Sequence, residues 1–268
     1  MASWTVTGSD RFTITEPVDR LVVRLDTARL NVIGTQGPAR VEITDAGRRP
    51  ILVGYRSGEL TVRRHGPWSW MALARLLGRR ATPEVSVGVP PATAVDLHVV
   101  AGTLVVSGLT GTTRAETTSG RITLMGLRGQ TSVRVISGPV EALGVAGDLT
   151  MEAVSGELVL ADGTATRIRA RTVSGSITCD LDNPGAGDVD LASTSGSVTV
   201  RVGRDSDLDV RLGAATGSIA TDFPELEAVG RRGGTARQVR GVLGTGRVRL
   251  RATTQSGSIA LLARSAVE

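Results

Sequence analysis

Few residues in this chain could do chemistry, and their spacing excludes most of it. His65 and His98 are the two histidines. An imidazole-based metal site needs further ligands at matched spacing, and neither histidine has a second histidine or a cysteine so placed. His98 lies between Leu97 and Val99, so period-two alternation turns it outward on a strand. Cys179, the single cysteine, shares parity with Ile177 and Leu181 and reads as a small core residue. Serines recur many times, but no histidine is placed to activate one as a nucleophile. The carboxylates form two groups: Asp180, Asp182, Asp188 and Asp190 around Asn183-Pro184-Gly185, and the run Asp205, Asp207, Asp209. Either could hold a hard cation such as calcium, yet the second has Val210 where a cation loop needs its turn-forming glycine. Solvated turns account for both. Acids at turn tips also offer no cleft in which paired carboxylates could cleave a glycosidic bond. The chain is expected to be non-enzymatic, with no catalytic residue, no cofactor and no metal.

Two segments carry contact chemistry instead. In the first, about 63–82, Trp70, Leu73, Leu76 and Leu77 have helical spacing and arginines flank both ends. It reads as a short helix that packs on or caps the repeats, or as an amphipathic element facing an anionic membrane or a partner groove. Trp68 and Trp70 read as the sole aromatic cluster. In the second, 224–245, Arg231, Arg232, Arg237 and Arg240 surround Gly233-Gly234. It reads as a loop or twisted hairpin, with a phosphate or polyanion site as the alternative. No phosphate-loop motif is present, because the following Lys and Ser or Thr are missing. Trp68, Trp70, Arg231, Arg232, Arg237 and Arg240 are thus the candidate partner contacts.

Composition narrows the partners. All 31 basic residues of the 268 are Arg, against 26 acidic ones, for a net charge of +5. A chain without lysine and rich in Ala and Gly points to base-composition bias before a polyanion-binding surface. The strands lack the aromatic platforms of single-strand binders, so nucleic acid is not an expected partner. The 40% hydrophobic share is enough to bury a core. No apolar run reaches the roughly 18 residues of a membrane-spanning helix. The opening MASWTVTGSDRFTITEP has no basic start followed by an apolar run. A cytoplasmic protein is therefore expected, with peripheral membrane contact through the Trp/Arg segment left open.

What must position these residues is a repeat. A hydroxyl residue, glycine and then an alternating apolar strand recur at Ser119-Gly120, Ser137-Gly138, Ser155-Gly156, Ser174-Gly175, Ser195-Gly196, Thr216-Gly217 and Ser256-Gly257. The first three glycines are 18 residues apart, and the next steps are 19, 21 and 21. A second alternating strand precedes each unit, as in Val133-Arg134-Val135 before Ser137 and Ile168-Arg169-Ala170 before Ser174. One such unit cannot bury its own apolar face, but stacked units can. The equal period and fixed Ser-Gly corner therefore predict an all-β, single-stranded β-solenoid, right-handed in winding. In it the serines form a polar ladder along one corner.

The stretches FTITEPVDRLVVRLDTARLNVIGT and VSVGVPPATAVDLHVVAGTLVVSGL, with the serial SGxUxU units (U apolar), resemble the DUF4097 family over about Phe12 to Leu262. Its members are described, provisionally, as adhesins or β-strand-repeat proteins of β-solenoid fold, and are common in bacteria, actinobacteria included. The resemblance implies a structural or interaction protein that meets a protein or cell-envelope partner, and it brings no catalytic residues. One domain is expected over 1–268, with less regular coils over about 10–100 and regular ones over about 101–262. The last coil in sequence leaves an exposed edge. Either the 224–245 segment covers that edge or the solenoid end self-associates.

Overall fold

The structure is a computed structural model that describes residues 2–47, 49–64, 82–181, 187–230 and 237–264. Every regular element among them is a β-strand. The chain divides into two compact units, 1–118 and 119–268.

Unit 1 holds β1 (Ala2–Val6), β2 (Asp10–Ile14), β3 (Arg20–Gly34), β4 (Ala39–Asp45), β5 (Ile51–Arg56), β6 (Glu59–Arg64), β7 (Glu84–Val89) and β8 (Ala94–Ser107). The sequence reads β3 and β8 as two strands each. They are single strands that turn a corner, because the buried set of β3 runs Leu21, Val23, Leu25 and then Ala28, Leu30, Val32, changing parity once. The matching corner of β8 needs glycine: Gly102 has φ +134°, and a Cβ there would overlap the Ala28 carbonyl oxygen.

β8 lies parallel on β3, while β6 and β7 each lie parallel on one half of its other edge, pairing Leu60 with Leu21 and Val85 with Leu30. Beyond them the pairing turns antiparallel: β5 on β6, β1 on β5, β4 on β7 and β2 on β4. Coil stacking thus stops here, contrary to the expected run of irregular coils. The local cause is legible at the β5–β6 turn, where Ser57 (φ 47°) and Gly58 (φ 81°) both take positive φ. A two-residue turn of that kind folds the chain straight back, whereas a parallel neighbour needs a long crossover. The half-buried rings of Trp4 on β1 and Phe12 on β2 pack with centroids 5.3 Å apart, so Trp68 and Trp70 are not the sole aromatic grouping.

Unit 2 begins within β9 (Thr113–Met125) and continues with β10 (Thr131–Ser137), β11 (Val140–Leu143), β12 (Ala146–Ser155), β13 (Leu158–Ala161) and β14 (Thr164–Thr172). Then come β15 (Ile177–Leu181), β16 (Asp188–Ser193), β17 (Val198–Val202), β18 (Leu208–Ala214) and β19 (Ile219–Thr221). It ends with β20 (Glu227–Gly230), β21 (Arg237–Leu243), β22 (Val248–Thr254) and β23 (Ile259–Ala263). Two parallel stacks result. The strand before each Ser-Gly pair stacks as β10–β12–β14–β16, with Val133 opposite Met151, Leu149 opposite Ile168 and Ile168 opposite Val189. The strand after it stacks as β9–β11–β13–β15–β17, with Ile122, Val140, Leu158, Ile177 and Val198 in one row. All five of these are buried to 1% exposure or less. Each such aliphatic side chain removed from water contributes about 1.5–3 kcal/mol, and the row is continuous only because the repeat length matches one turn of chain.

The last rungs depart from sequence order. β22 lies between β16 and β18, parallel to both, with Leu250 opposite Val189 on one side and Val210 on the other. β23 likewise lies between β17 and β19. The outer edge of β18 is taken by β21, which runs antiparallel to it from Leu208–Leu243 to Ala214–Arg237, and β20 pairs antiparallel with β21. The described part of the 224–245 segment, the antiparallel pair β20–β21, therefore covers an edge, but the edge is that of β18, not of the last coil in sequence. With β21 on its outer edge, β18 can accept the final coil only on its inner side.

Candidate functional site

The Ser-Gly pairs lie between the two stacks of unit 2 and form a column of their own. In spatial order the glycines are 120, 138, 156, 175, 196, 257 and 217, and a Cβ on any of the last six would overlap the carbonyl oxygen of the glycine before it. Positive φ occurs only at Gly120 (140°) and Gly138 (132°). At Gly156, Gly175, Gly196, Gly217 and Gly257 the requirement is room for the neighbouring rung rather than a left-handed backbone.

The hydroxyls beside these glycines donate across rungs to the carbonyl of the residue preceding the next hydroxyl. Ser155 Oγ donates to Ile136 O (3.4 Å), Ser174 to Val154 O (3.3 Å), Ser195 to Val173 O (3.2 Å), Ser256 to Thr194 O (3.4 Å) and Thr216 Oγ1 to Gln255 O (2.9 Å). In Ser174, Ser195, Ser256 and Thr216 the backbone N–H donates to the same oxygen. Ser119 and Ser137 continue the column in β9 and β10.

A second, shorter hydroxyl column, not recognised in the sequence, lies three residues before Gly175, Gly196 and Gly257. Thr172, Ser193 and Thr254 are buried, and Ser193 and Thr254 donate to the carbonyls of Gly175 (3.4 Å) and Gly196 (3.1 Å). The signal was available as a hydroxyl at fixed distance from the glycine, but it shares the parity of the apolar core and reads there as an interruption.

Beside the Ser-Gly column, at the carbonyls that accept its hydroxyls, stands a row of exposed aliphatic side chains. Ile136, Val154 and Val173 each precede a column serine and are 53%, 49% and 50% exposed. They recur at the strand spacing of about 4.8 Å. Val173 also lines an open groove of about 570 Å³ together with Arg171, Thr194, Arg251 and Gln255. Exposed large apolar side chains are ordinary when scattered, but a contiguous line of them marks a contact surface.

The remaining candidates fall as follows. Trp68, Trp70, Arg231, Arg232 and Asp182 lie outside the described residues. Arg237 and Arg240 both sit on β21 but point to opposite faces, because three residues along a strand changes parity. Arg237 faces the buried side at the strand end, opposite Ala214, and Arg240 faces outward opposite Arg211. His98 is half-exposed with Nδ1 3.7 Å from Glu116 Oε2.

Three of the candidate carboxylates pair with arginine: Asp180 with Arg201 (3.4 Å) and Arg264, Asp190 with Arg169 (3.7 Å) and Arg171 (3.4 Å), and Asp209 with Arg211 (3.1 Å). Asp207 accepts the Thr245 N–H (2.7 Å) and pairs with Arg247, and these contacts, the backbone bond first, hold its carboxyl below the usual range. It pins the turn into β22. Among the described residues no three His, Cys, Asp or Glu side chains gather closely enough to hold a metal ion.

Cys179 sits in the core row between Leu160 and Val200, and burial, with Asp180 adding to it, pushes its thiol up to about 12. At neutral pH the native thiolate is scarce, so alkylation by iodoacetamide should run at least about 100-fold slower than in the denatured chain. Equal rates would place the thiol outside the core.

The Toastrack DUF4097 family model matches residues 18–262. The chain belongs to this family. No curated protein matches it. Solved structures similar to this Toastrack chain include one described provisionally as a cell adhesion protein from Clostridium sporogenes, at 11% identity and a TM-score of 0.29, covering 96% of this chain and 100% of that one. Another is described provisionally as an adhesin from Bacteroides fragilis, at 11% identity and a TM-score of 0.43, covering 97% of each chain. A third is described provisionally as a lipid-binding protein from Parabacteroides distasonis, at 10% identity and a TM-score of 0.37, covering 97% of this chain and 96% of that one. Among the described residues of this Toastrack protein, no helix is long and apolar enough to cross a membrane.

Proposed function

We propose that this Toastrack protein is a non-enzymatic interaction module, a rigid β-repeat scaffold that presents the Ile136–Val154–Val173 row and its adjoining groove to a protein or cell-envelope partner. The observation that carries this is the row itself, three large apolar side chains, each about half exposed, in register on successive rungs. The hydrogen bonds beneath it hold the spacing, so a partner would meet a preorganised surface and little ordering entropy would be lost on contact. The chemistry of the surroundings points the same way: the column hydroxyls are donors to carbonyls, the thiol is buried, and Asp180, Asp190, Asp207 and Asp209 are tied to arginines. In this reading the coils wind right-handed and the Ser-Gly column is the corner that sets their rise.

The test is co-sedimentation with cell-envelope fractions, comparing wild type with the triple variant Ile136→Ser/Val154→Ser/Val173→Ser. These sites face solvent, so each change should cost within about 0.5 kcal/mol of stability. The bound fraction is expected to drop at least about tenfold, as expected where apolar anchors are removed from a contact patch. Undiminished binding by a folded triple variant overturns the assignment of the row.

A further inference from the structure

The final coil of unit 2 occupies the place that chain order would give to another. Residues 203–207 lead from β17 to β18, yet β18 does not stack on β16. β22 fills that place, parallel to both. The same feature shows at the next link. β21 and β22 are joined by 244–247 alone, yet β18 lies between them, antiparallel to one and parallel to the other. A link of that length ordinarily closes a plain antiparallel hairpin.

The two rungs match position by position. Val210 and Leu212 of β18 stand in the rows of Leu250 and Ala252 of β22, and all four are buried. Ile219 stands in the row of Ile259. Gly217 stacks on Gly257 as Gly257 stacks on Gly196, so each rung brings the glycine that its neighbour requires. If the rungs traded places, β18 would pair with β16, β22 with β18 and β21 with β22. No ladder would be lost.

Two features hold the observed order. The first is Asp207, immediately before β18. Its carboxylate accepts the Thr245 N–H (2.7 Å) and pairs with Arg247, and its carbonyl accepts the Val248 N–H (3.0 Å). The link 244–247 is thereby pegged across the start of β18. The second is charge. Asp188, Arg249 and Asp209 alternate in sign across β16, β22 and β18. Exchange would set Asp209 opposite Asp188, and like charges directly opposite are destabilising. Both features are solvent-facing contacts of modest strength, so the order is held narrowly.

We propose that rungs 208–221 and 248–263 exchange places through local opening of these strands, and that the exchange relines the groove. In the observed order Arg251, Thr253 and Gln255 line it beside Ala192 and Thr194. After exchange Arg211, Gly213 and Ala215 take those positions. The groove then keeps a guanidinium but loses a hydroxyl and an amide. A partner that uses the hydroxyl and the amide binds the observed order alone and draws the population toward it. That consequence rests on the groove being the contact surface; the exchange itself does not.

The experiment uses the full chain with pairs of cysteines at outward positions, mild oxidation, and disulfides scored by peptide mass. It needs no partner, so it is independent of the binding reading. Cys179 is buried and stays silent. Ala192→Cys/Thr253→Cys joins neighbouring strands in the observed order and is the positive control. Ala192→Cys/Gly213→Cys spans two strand spacings, about 9.6 Å, too far to bridge until the rungs trade places. A Cβ at Gly213 meets only Thr253 Cγ2, at 3.9 Å, so the cysteine fits. Ala192→Cys/Gln238→Cys is separated in both orders and reports general unfolding. The 192/213 disulfide should form at least about fivefold faster than the 192/238 one, and Asp207→Ala or Asp209→Asn should raise its rate at least about threefold further. A 192/213 disulfide no faster than 192/238 overturns the proposal. If Asp207→Ala fails to fold, Asp209→Asn is read alone, and no rise with it overturns the assigned hold.

Discussion

Gly196→Ala should destabilise unit 2 by about 3 kcal/mol, far beyond the usual cost of one methyl group. The added Cβ would overlap the Gly175 carbonyl oxygen and sit 2.9 Å from Ser193 Oγ. Neither can yield cheaply. The Gly175 carbonyl belongs to the adjacent rung and also accepts the Ser193 hydroxyl (3.4 Å), so the rung must shift as a whole. Shifting it would break the register that places Leu191 and Val198 in the core. Gly8 is the matched control, since a Cβ there meets nothing within 4 Å. Gly8→Ala should change stability by no more than about 0.5 kcal/mol. Urea melts of the two variants separate the cases, and a Gly196→Ala protein as stable as Gly8→Ala would show that the rungs have slack at this glycine.

Replacing 225–243 by a short Gly-Ser linker should convert the protein into a self-associating species at micromolar concentration. The replacement removes β20 and β21 and bares the full length of β18, from Leu208 to Ala214. An uncovered seven-residue edge carries a row of unpaired N–H and C=O groups, which recruits another strand. Buried Val239 and Leu243 would be lost with it, leaving apolar surface behind. Retaining 244–247 keeps the Asp207 contacts to Thr245 and Arg247, so the turn into β22 survives. Light scattering across a dilution series reads the outcome. A strictly monomeric product with an unchanged melt would mean that the hairpin is not an edge cover. Val239→Asp in the full chain is the second variant, because it loosens β21 without deleting it and should produce the same association more weakly. By contrast β19, which pairs only with β23 among the described residues, is three residues long and presents little edge to recruit on.

The regular part of the fold was legible because its period is written directly in the residues. Ile122, Val140, Leu158, Ile177 and Val198 recur at the same step as their glycines, and in the structure they occupy one row. The candidate contacts were less legible. Arg237 and Arg240 look like one cluster along the chain, yet strand parity sends them to opposite faces. The arginine row that does form joins residues 211, 240 and 251, and it exists only because β21 runs antiparallel and β22 parallel to the same strand. Ile136, Val154 and Val173 were visible as apolar residues before a serine, but alternation alone does not say that they remain exposed.

By itself the sequence determined the all-β class, the repeat length, the stacked core and the column of Ser-Gly pairs. These follow from local alternation and a fixed period, which act between residues a rung apart. Only the tertiary structure decided the order of the rungs and the character of the ends. Any parallel strand of matching pattern can stack on any other, so Val189 could meet Val210 or Leu250 with the same burial, and nothing in their local pattern chooses. The choice falls to the β20–β21 hairpin, which takes one edge of β18 and leaves the final coil the other. Edge occupancy is a property of the assembled sheet, and no periodicity encodes it.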